Sequence, residues 1–226
     1  MSEPVSQRIR ARLRAASVPF AANDTISAHL LPGEMAELQA EVEGKAAALL
    51  DALVIDRDSD HNTADTARRI AKMYLREVFR GRYEPAPAAT DFPNAKGASG
   101  LYVVGPVSIR STCSHHFAPI MGEAWVGIIP GSRVIGLSKF NRLADWVFSR
   151  PQIQEEAVMQ LADLIEDLVE PVGLGLIVRA RHLCCGWRGV RDNTLMVSSE
   201  MRGALFDNPT ARAELMALVG QGVACA

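Results

Sequence analysis

Two short stretches constrain this chain more than anything else in it. The first is Ser111-Thr112-Cys113-Ser114-His115-His116-Phe117 and the second, much further on, is Arg181-His182-Leu183-Cys184. Together they hold three of the five histidines and two of the four cysteines. A thiol and an imidazole separated by two residues let one tight turn aim two ligands at one metal ion. Cys113, His116 and Cys184 therefore read as a Cys-Cys-His zinc site, with His115 and His182 beside it. Three protein ligands leave the fourth position of zinc for water, the mark of a catalytic rather than a structural site. A common ion also requires the two stretches to fold onto each other.

Bulk properties narrow the class. The chain has 226 residues, enough for one large domain or a domain with a helical extension. Hydrophobic residues make up 48% and charged residues 22%, which supports a solid core. A net charge of −2 argues against a general nucleic-acid binder. No apolar run is long enough to span a membrane. Adjacent Cys184 and Cys185 do not look like a disulfide framework, and a reducing, cytoplasmic setting would preserve thiolate ligands. The basic segment Arg8 to Arg14 lacks a following apolar stretch and reads as a solvated helix, not a secretory signal.

Read in order, residues 1–32 form a short basic helix and a loosely attached arm. Helical spacing of Met35, Leu38, Val42, Ala46, Leu49 and Leu50 predicts a helix over 34–53. A second helix is expected from Thr63 to about residue 80, with Arg68, Arg69 and Lys72 on its early turns. Prolines at 85, 87 and 93 mark a loop between the helical part of the chain and the catalytic core, and the expected domains are a helical arm, 1–62, and a catalytic domain, 63–226, that includes the second helix. Beyond it the period becomes two, and strands are expected over 101–112 and 118–129. Helices follow over 138–148 and from Pro151 onwards, with Glu155 and Glu156 where the helix dipole favours acids. Alternation over 174–184 places Leu174, Leu176, Val178, Ala180, His182 and Cys184 on one face, and Cys185 on the other. A fourth strand within 190–201 and a last helix from Asn208-Pro209 through Leu218 complete the chain. The core, about 101–203, is thus an α+β domain of strand-strand-helix-helix-strand-strand order, with helices covering one face of a four-stranded antiparallel sheet. Gly220 to Ala226 is expected to fray, with Cys225 an incidental thiol.

Several motifs in a fixed order resemble GTP cyclohydrolase I over roughly Thr63 to Leu218. They are Cys113-Ser114-His115-His116, Val134-Ile135-Gly136-Leu137-Ser138-Lys139, Arg150-Pro151-Gln152-Ile153-Gln154-Glu155, and His182-Leu183-Cys184 followed by Arg188-Gly189-Val190. The resemblance implies the tunnelling fold and a homodecamer of two stacked rings with active sites between subunits. It implies one zinc per subunit at Cys113, His116 and Cys184, and hydrolytic opening of the imidazole ring of GTP with loss of formate. His182 aligns with the proton donor, His115 with a residue assisting later proton transfers, and Ser138 with a ribose contact. Gln154 and Glu155 align with the guanine reader. Lys139, Arg142 and Arg188 align with triphosphate contacts, as does Arg69 from a neighbouring subunit, with Lys72 assisting. The product would be 7,8-dihydroneopterin 3′-triphosphate, the entry to tetrahydrofolate and other pterins.

Ser114 departs from the pattern, which commonly has glutamate there. That departure keeps open a paralogue acting on GTP or a related purine nucleotide, stopping at a ring-opened product or feeding deazapurine synthesis. A non-catalytic nucleotide-binding relative is a further alternative. Retention of both free histidines and all three ligands weighs against it.

Overall fold

A computed structural model describes residues 3–224, with side chains to 220. The chain divides into two compact units, Met1–Pro85 and Ala86–Ala226.

The first unit is helical. It contains α1 (Val5–Ala15), α2 (Glu34–Ala52), α3 (Thr66–Lys72) and a short α4 (Arg80–Tyr83), with one wider π turn over Met73–Val78. The apolar residues of α1 recur at helical spacing, and Val5, Ile9 and Leu13 are buried with Ile26, Leu38 and Leu75. Residues 5–15 are therefore not the loose arm expected of them. They are pinned further by Arg12, which makes two hydrogen bonds of 2.8 and 2.6 Å to the Glu34 carboxylate. Glu34 is only 4% exposed, and the adjacent guanidinium holds its carboxyl down at about 2. The expected helix from Thr63 begins at Thr66, because the Asp60 carboxylate accepts from the Asn62 backbone N–H and the Thr63 hydroxyl donates to the Asp60 carbonyl, which holds a turn. That helix packs against α2, so by packing it lies in the first unit.

The second unit is built on a sheet. Its strands are β1 (Asp91–Pro93), β2 (Tyr102–Cys113), β3 (Pro119–Ile129) and β4 (Arg133–Ile135), followed by α5 (Leu137–Phe148). Then come β5 (Pro151–Gln152), α6 (Gln154–Val169), β6 (Gly173–His182), the single turn α7 (Leu183–Gly186) and β7 (Leu195–Gly203). The short α8 (Ala204–Asp207) and the long α9 (Pro209–Ala224) close the chain. The main sheet has the order β5-β2-β3-β6-β7. The four long strands are antiparallel neighbours in the expected order, and β5 adds two parallel residues at the edge of β2.

Four local expectations are corrected. Pro151 does not start a helix: Thr112 pairs with Pro151 and Cys113 with Gln152, so the helix begins at Gln154. The proline-rich segment contains a strand after all, since Asp91–Pro93 pairs with Arg133–Ile135 and Arg133 bonds Asp91 at 2.7 Å. The helices also do not keep to one face of the sheet. Side chains of α5 and α6, including Phe140, Leu143, Phe148, Leu161 and Ile165, pack on Ile109, Val126, Ile128, Leu176 and Val178. On the opposite face Leu205, Leu215 and Val219 pack on Trp125 and Ile177. The last helix, expected to end at Leu218, runs on to Ala224, and Cys225 lies outside the described residues.

This second layer is made possible by a pair of glycines. Gly127 and Gly175 face each other across β3 and β6. A Cβ on either would lie 2.4 Å from a methyl of Leu215, which is fully buried. Their missing side chains form the seat that α9 occupies.

Candidate active site

The site forms at one end of the sheet, where β2 and β6 end and β3 begins. Cys113 is the last residue of β2 and only 4% exposed. Ser114, His115 and His116 form the turn that follows. It is closed by Phe117 N–H donating to the Cys113 carbonyl and Cys113 N–H donating to that of Ala118, both at 2.9 Å. Phe117 takes a positive φ of 52°, which turns the chain sharply into β3. Cys113 and His116 are thus brought together by a tight turn.

Cys184 arrives differently. The strand stops at His182, and residues 183–186 make one helical turn, with Trp187 N–H bonded to the Leu183 carbonyl at 2.9 Å. Strand alternation therefore does not place Cys184 beside His182, nor send Cys185 to the opposite sheet face. The turn points Cys184 inward, where it packs with Cys113, Ile120 and Ala180, and leaves Cys185 exposed.

A sulfur of Cys113, a ring nitrogen of His116 and the sulfur of Cys184 all lie within 4.8 Å of one another. Ligands around a tetrahedral zinc, with Zn–S near ~2.3 Å, lie roughly 3.5–4 Å apart, so the cluster is at most about 1 Å too open. Two thiols and an imidazole suit a borderline-soft cation such as zinc. The electrostatics agree with that fit. Burial, and then the neighbouring Cys113 thiol, push Cys184 up to about 12, so without a metal ion the Cys184 thiol keeps its proton. A dication placed among the donors would reverse this, because thiols ligate as thiolates.

The remaining histidines differ from each other. His115 Nδ1 lies 3.8 Å from the Cys113 sulfur and its ring is exposed. His182 is half-buried, and burial lowers it below the usual imidazole range while the charge of Glu155 pushes back. Its Nε2 lies 2.9 Å from Oε1 of Gln154.

Gln154, aligned with the guanine reader, is 2% exposed, and its amide is engaged inside the chain with His182, the Val178 carbonyl and Ser198. Glu155, one residue on, is exposed on the first turn of α6. Arg188 stands at the cluster, with a guanidinium nitrogen 2.9 Å from His116 Nε2. Ser138, Lys139 and Arg142 lie along the first turns of α5, outside the hydrogen bonds of the cluster; Lys139 reaches the Ala88 carbonyl at 3.4 Å. Arg69 and Lys72 lie on α3 in the first unit, exposed, and within ion-pair distance of Asp65 and Glu77. Sequence reading missed Ser198. Its position in β7 opposite Val178 carries no signal until the strands are paired.

Fold and cluster together define a class: a strand-strand-helix-helix-strand-strand domain with a thiol–imidazole donor set at one end of its sheet. Comparison with known proteins makes this specific. The family GTP cyclohydrolase I matches residues 42–220. GTP cyclohydrolase 1 of Aeromonas hydrophila subsp. hydrophila is 34% identical over 207 residues, covering 91% of this chain and 94% of that protein. GTP cyclohydrolase 1 of Shewanella amazonensis is 37% identical over 182 residues, covering 80% and 84%. The chain belongs to the GTP cyclohydrolase I family and is an enzyme of the hydrolase class. No helix among the described residues is long and apolar enough to cross a membrane.

Proposed function

We propose that this enzyme converts GTP and water to 7,8-dihydroneopterin 3′-triphosphate and formate, with one zinc ion held by Cys113, His116 and Cys184. The observation that carries this reading is the convergence of those three donor atoms within 4.8 Å beside His182, in a chain of this family. When bound, zinc supplies a Lewis acid that brings water near neutral pKa. The protein supplies the rest. His182 gives a proton to the purine ring nitrogen as charge develops there. His115 serves the later proton transfers of the sugar rearrangement. Glu155 offers a carboxylate that accepts two hydrogen bonds from the guanine edge. Ser138 contacts the ribose. Lys139, Arg142 and Arg188 carry the triphosphate, joined by Arg69 and Lys72 of a neighbouring subunit, since several cations around one triphosphate satisfy its charge. A cytoplasmic homodecamer feeding folate or another pterin is part of the same reading, supported by the family resemblance.

The test is metal-quantified protein incubated with GTP, following formate and the fluorescence of oxidised neopterin together. Equal amounts, abolished by His182→Ala, support the complete reaction. Formate without neopterin indicates a diverted pathway, in keeping with Ser114 replacing a carboxylate. Ring-opened product without formate places the block at the second hydrolytic step. No turnover with a full zinc complement overturns the assignment.

A further inference from the structure

The helical first unit contains a cleft of about 330 Å3, walled by α1, the segment after it, α2 and α4. That volume falls at the lower end of the ~300–1,000 Å3 range of small-molecule sites. Its body is apolar, made by Ile9 and Leu13 of α1, Phe20, Ile26, and Leu38 of α2. Two arginines, Arg10 and Arg82, line it as well. The other arginines of α1 show what is unusual about Arg10. Arg8 meets Glu37 at 2.5 Å and Arg12 meets Glu34 at 2.6 Å, both on α2. Arg10 is exposed, and among the described residues neither it nor Arg82 is in an ion pair. Arg82 donates instead to backbone carbonyls, to Phe20 at 3.1 Å, to Asp24 at 2.9 Å and to Ala21. These bonds fix the loop that walls the cleft, but carbonyls carry no net charge, so the cation keeps no counter-charge. The one carboxylate bonded to a lining residue is already engaged. Glu41 accepts from the N–H and hydroxyl of Ser6 at 2.9 and 2.7 Å and lies 3.8 Å from Lys45. Tyr83 also lines the cleft, and burial pushes its phenol above the usual range against the pull of Arg82, so its hydroxyl keeps a proton to donate.

We propose that this cleft binds a small alkyl carboxylate, with its apolar tail among Ile9, Leu13, Ile26 and Leu38 and its carboxylate at Arg10 and Arg82. The tail displaces water from apolar walls, which is favourable without any directional contact. The carboxylate accepts charge-assisted hydrogen bonds from guanidinium groups that have no acid of their own. Aliphatic side chains dominate the wall, which suits a flexible chain. A neutral hydrocarbon would leave both cations uncompensated. A polyphosphate would set several charges against the same apolar wall, where desolvation opposes them. None of the lining residues belongs to the Cys113, His116 and Cys184 donor group, so binding here does not rest on the GTP reading.

The experiment is isothermal titration calorimetry of the full-length, zinc-loaded protein with sodium octanoate. Wild type is expected to bind one octanoate per subunit with a Kd of about 0.1–1 mM, in keeping with a ligand of about ten non-hydrogen atoms. Octan-1-ol, which keeps the tail and lacks the charge, is expected to bind at least about tenfold more weakly. Arg10→Glu should weaken octanoate by about tenfold or more and leave the thermal melt unchanged, since Arg10 is exposed and unpaired, while Arg10→Lys should retain most of the affinity. Leu38→Trp fills the cleft and should abolish binding; Arg10→Glu decides the matter if that variant does not fold. No heat of binding in wild type up to about 5 mM octanoate overturns the proposal. So does equal affinity for octanoate and octan-1-ol, or an unchanged affinity in Arg10→Glu. Displacement of octanoate by excess GTP would place it at the candidate active site and equally overturn the assignment. A stoichiometry that falls as the protein is concentrated and its subunits associate would show a second copy of the chain filling the cleft, and the proposal then fails.

Discussion

A guanidinium nitrogen of Arg188 lies 2.9 Å from Nε2 of His116. Arginine can only donate, so this nitrogen of His116 acts as the acceptor. The same lone pair cannot serve Arg188 and a metal ion together. On the proposed reading, a zinc ion bound here would either use the other ring nitrogen or displace Arg188, which would then be free for the substrate phosphates.

Both routes give the same expectation for Arg188→Ala. Zinc affinity is retained or increased, measured by competition with a chromogenic chelator. KM for GTP rises by about 10- to 100-fold, the worth of one or two charge-assisted hydrogen bonds. A large loss of zinc would show that Arg188 instead supports the ligand set.

Replacing a donor atom has the opposite signature. Cys113→Ser and Cys184→Ser are expected to lose nearly all bound zinc after dialysis against a chelator and to lose turnover with it. Cys185→Ser should keep a full complement, because Cys185 is exposed and stands outside the donor group. Metal content per subunit, measured by atomic emission, distinguishes the three variants.

The first unit should respond to acid through Glu34. Its carboxyl is held at about 2 in the folded protein by Arg12, against an ordinary value of 4.5. A lowered folded value stabilises above the unfolded pKa and is lost as pH falls through the folded one. The contribution is therefore complete above about pH 4.5 and disappears progressively towards about pH 2. Thermal melts of wild type and Glu34→Gln should differ at pH 7 and converge across that window. A difference that persists unchanged to pH 2 would contradict the pairing.

Steric logic predicts the result of filling the glycine seat. In Gly175→Ala the new Cβ meets Leu215, Met201 and Leu205, at 2.4, 3.0 and 3.1 Å. Buried neighbours cannot all retreat, so a loss of about 1–3 kcal/mol is expected from chemical denaturation. Leu215→Ala alone leaves a cavity and should cost about 2–5 kcal/mol. The double variant should be more stable than the sum of the two losses implies, because each change relieves the other. Strict additivity would mean that Leu215 does not occupy this seat.

Much of the candidate donor cluster was legible in the sequence because two of its residues sit where local rules are strong. A Cys-x-x-His turn between two alternating strands leaves little freedom, and Cys113 and His116 fall as their spacing requires. Cys184 reached the right place for a different reason than periodicity offered. Its position depends on β6 stopping at His182, and nothing in Arg181 to Cys185 marks that stop, since Gly186 ends the turn only after the fact. Asp91–Pro93 was hidden because three residues in a proline-rich segment carry no periodic signal. The second helical layer was hidden because its cause is an absence, the missing side chains at Gly127 and Gly175. Gln154 reads as a polar residue at a helix start, and only the pairing of Val178 with Ser198 turns it inward.

The central strand β3 has a further consequence. It pairs with β2 on one side, Thr112 opposite Pro119, and with β6 on the other, Ile120 opposite His182. Among the described strands, β3 alone lies between the strand that ends at Cys113 and the strand that leads to Cys184. The strand is in effect a gauge block between the two halves of the candidate donor cluster. Inserting a single residue into it would slide one half by about 3.4 Å and turn side chains to the wrong face. That displacement is comparable to the whole spacing between the donors. Length variation that the loop between α7 and β7 can absorb is denied to this strand.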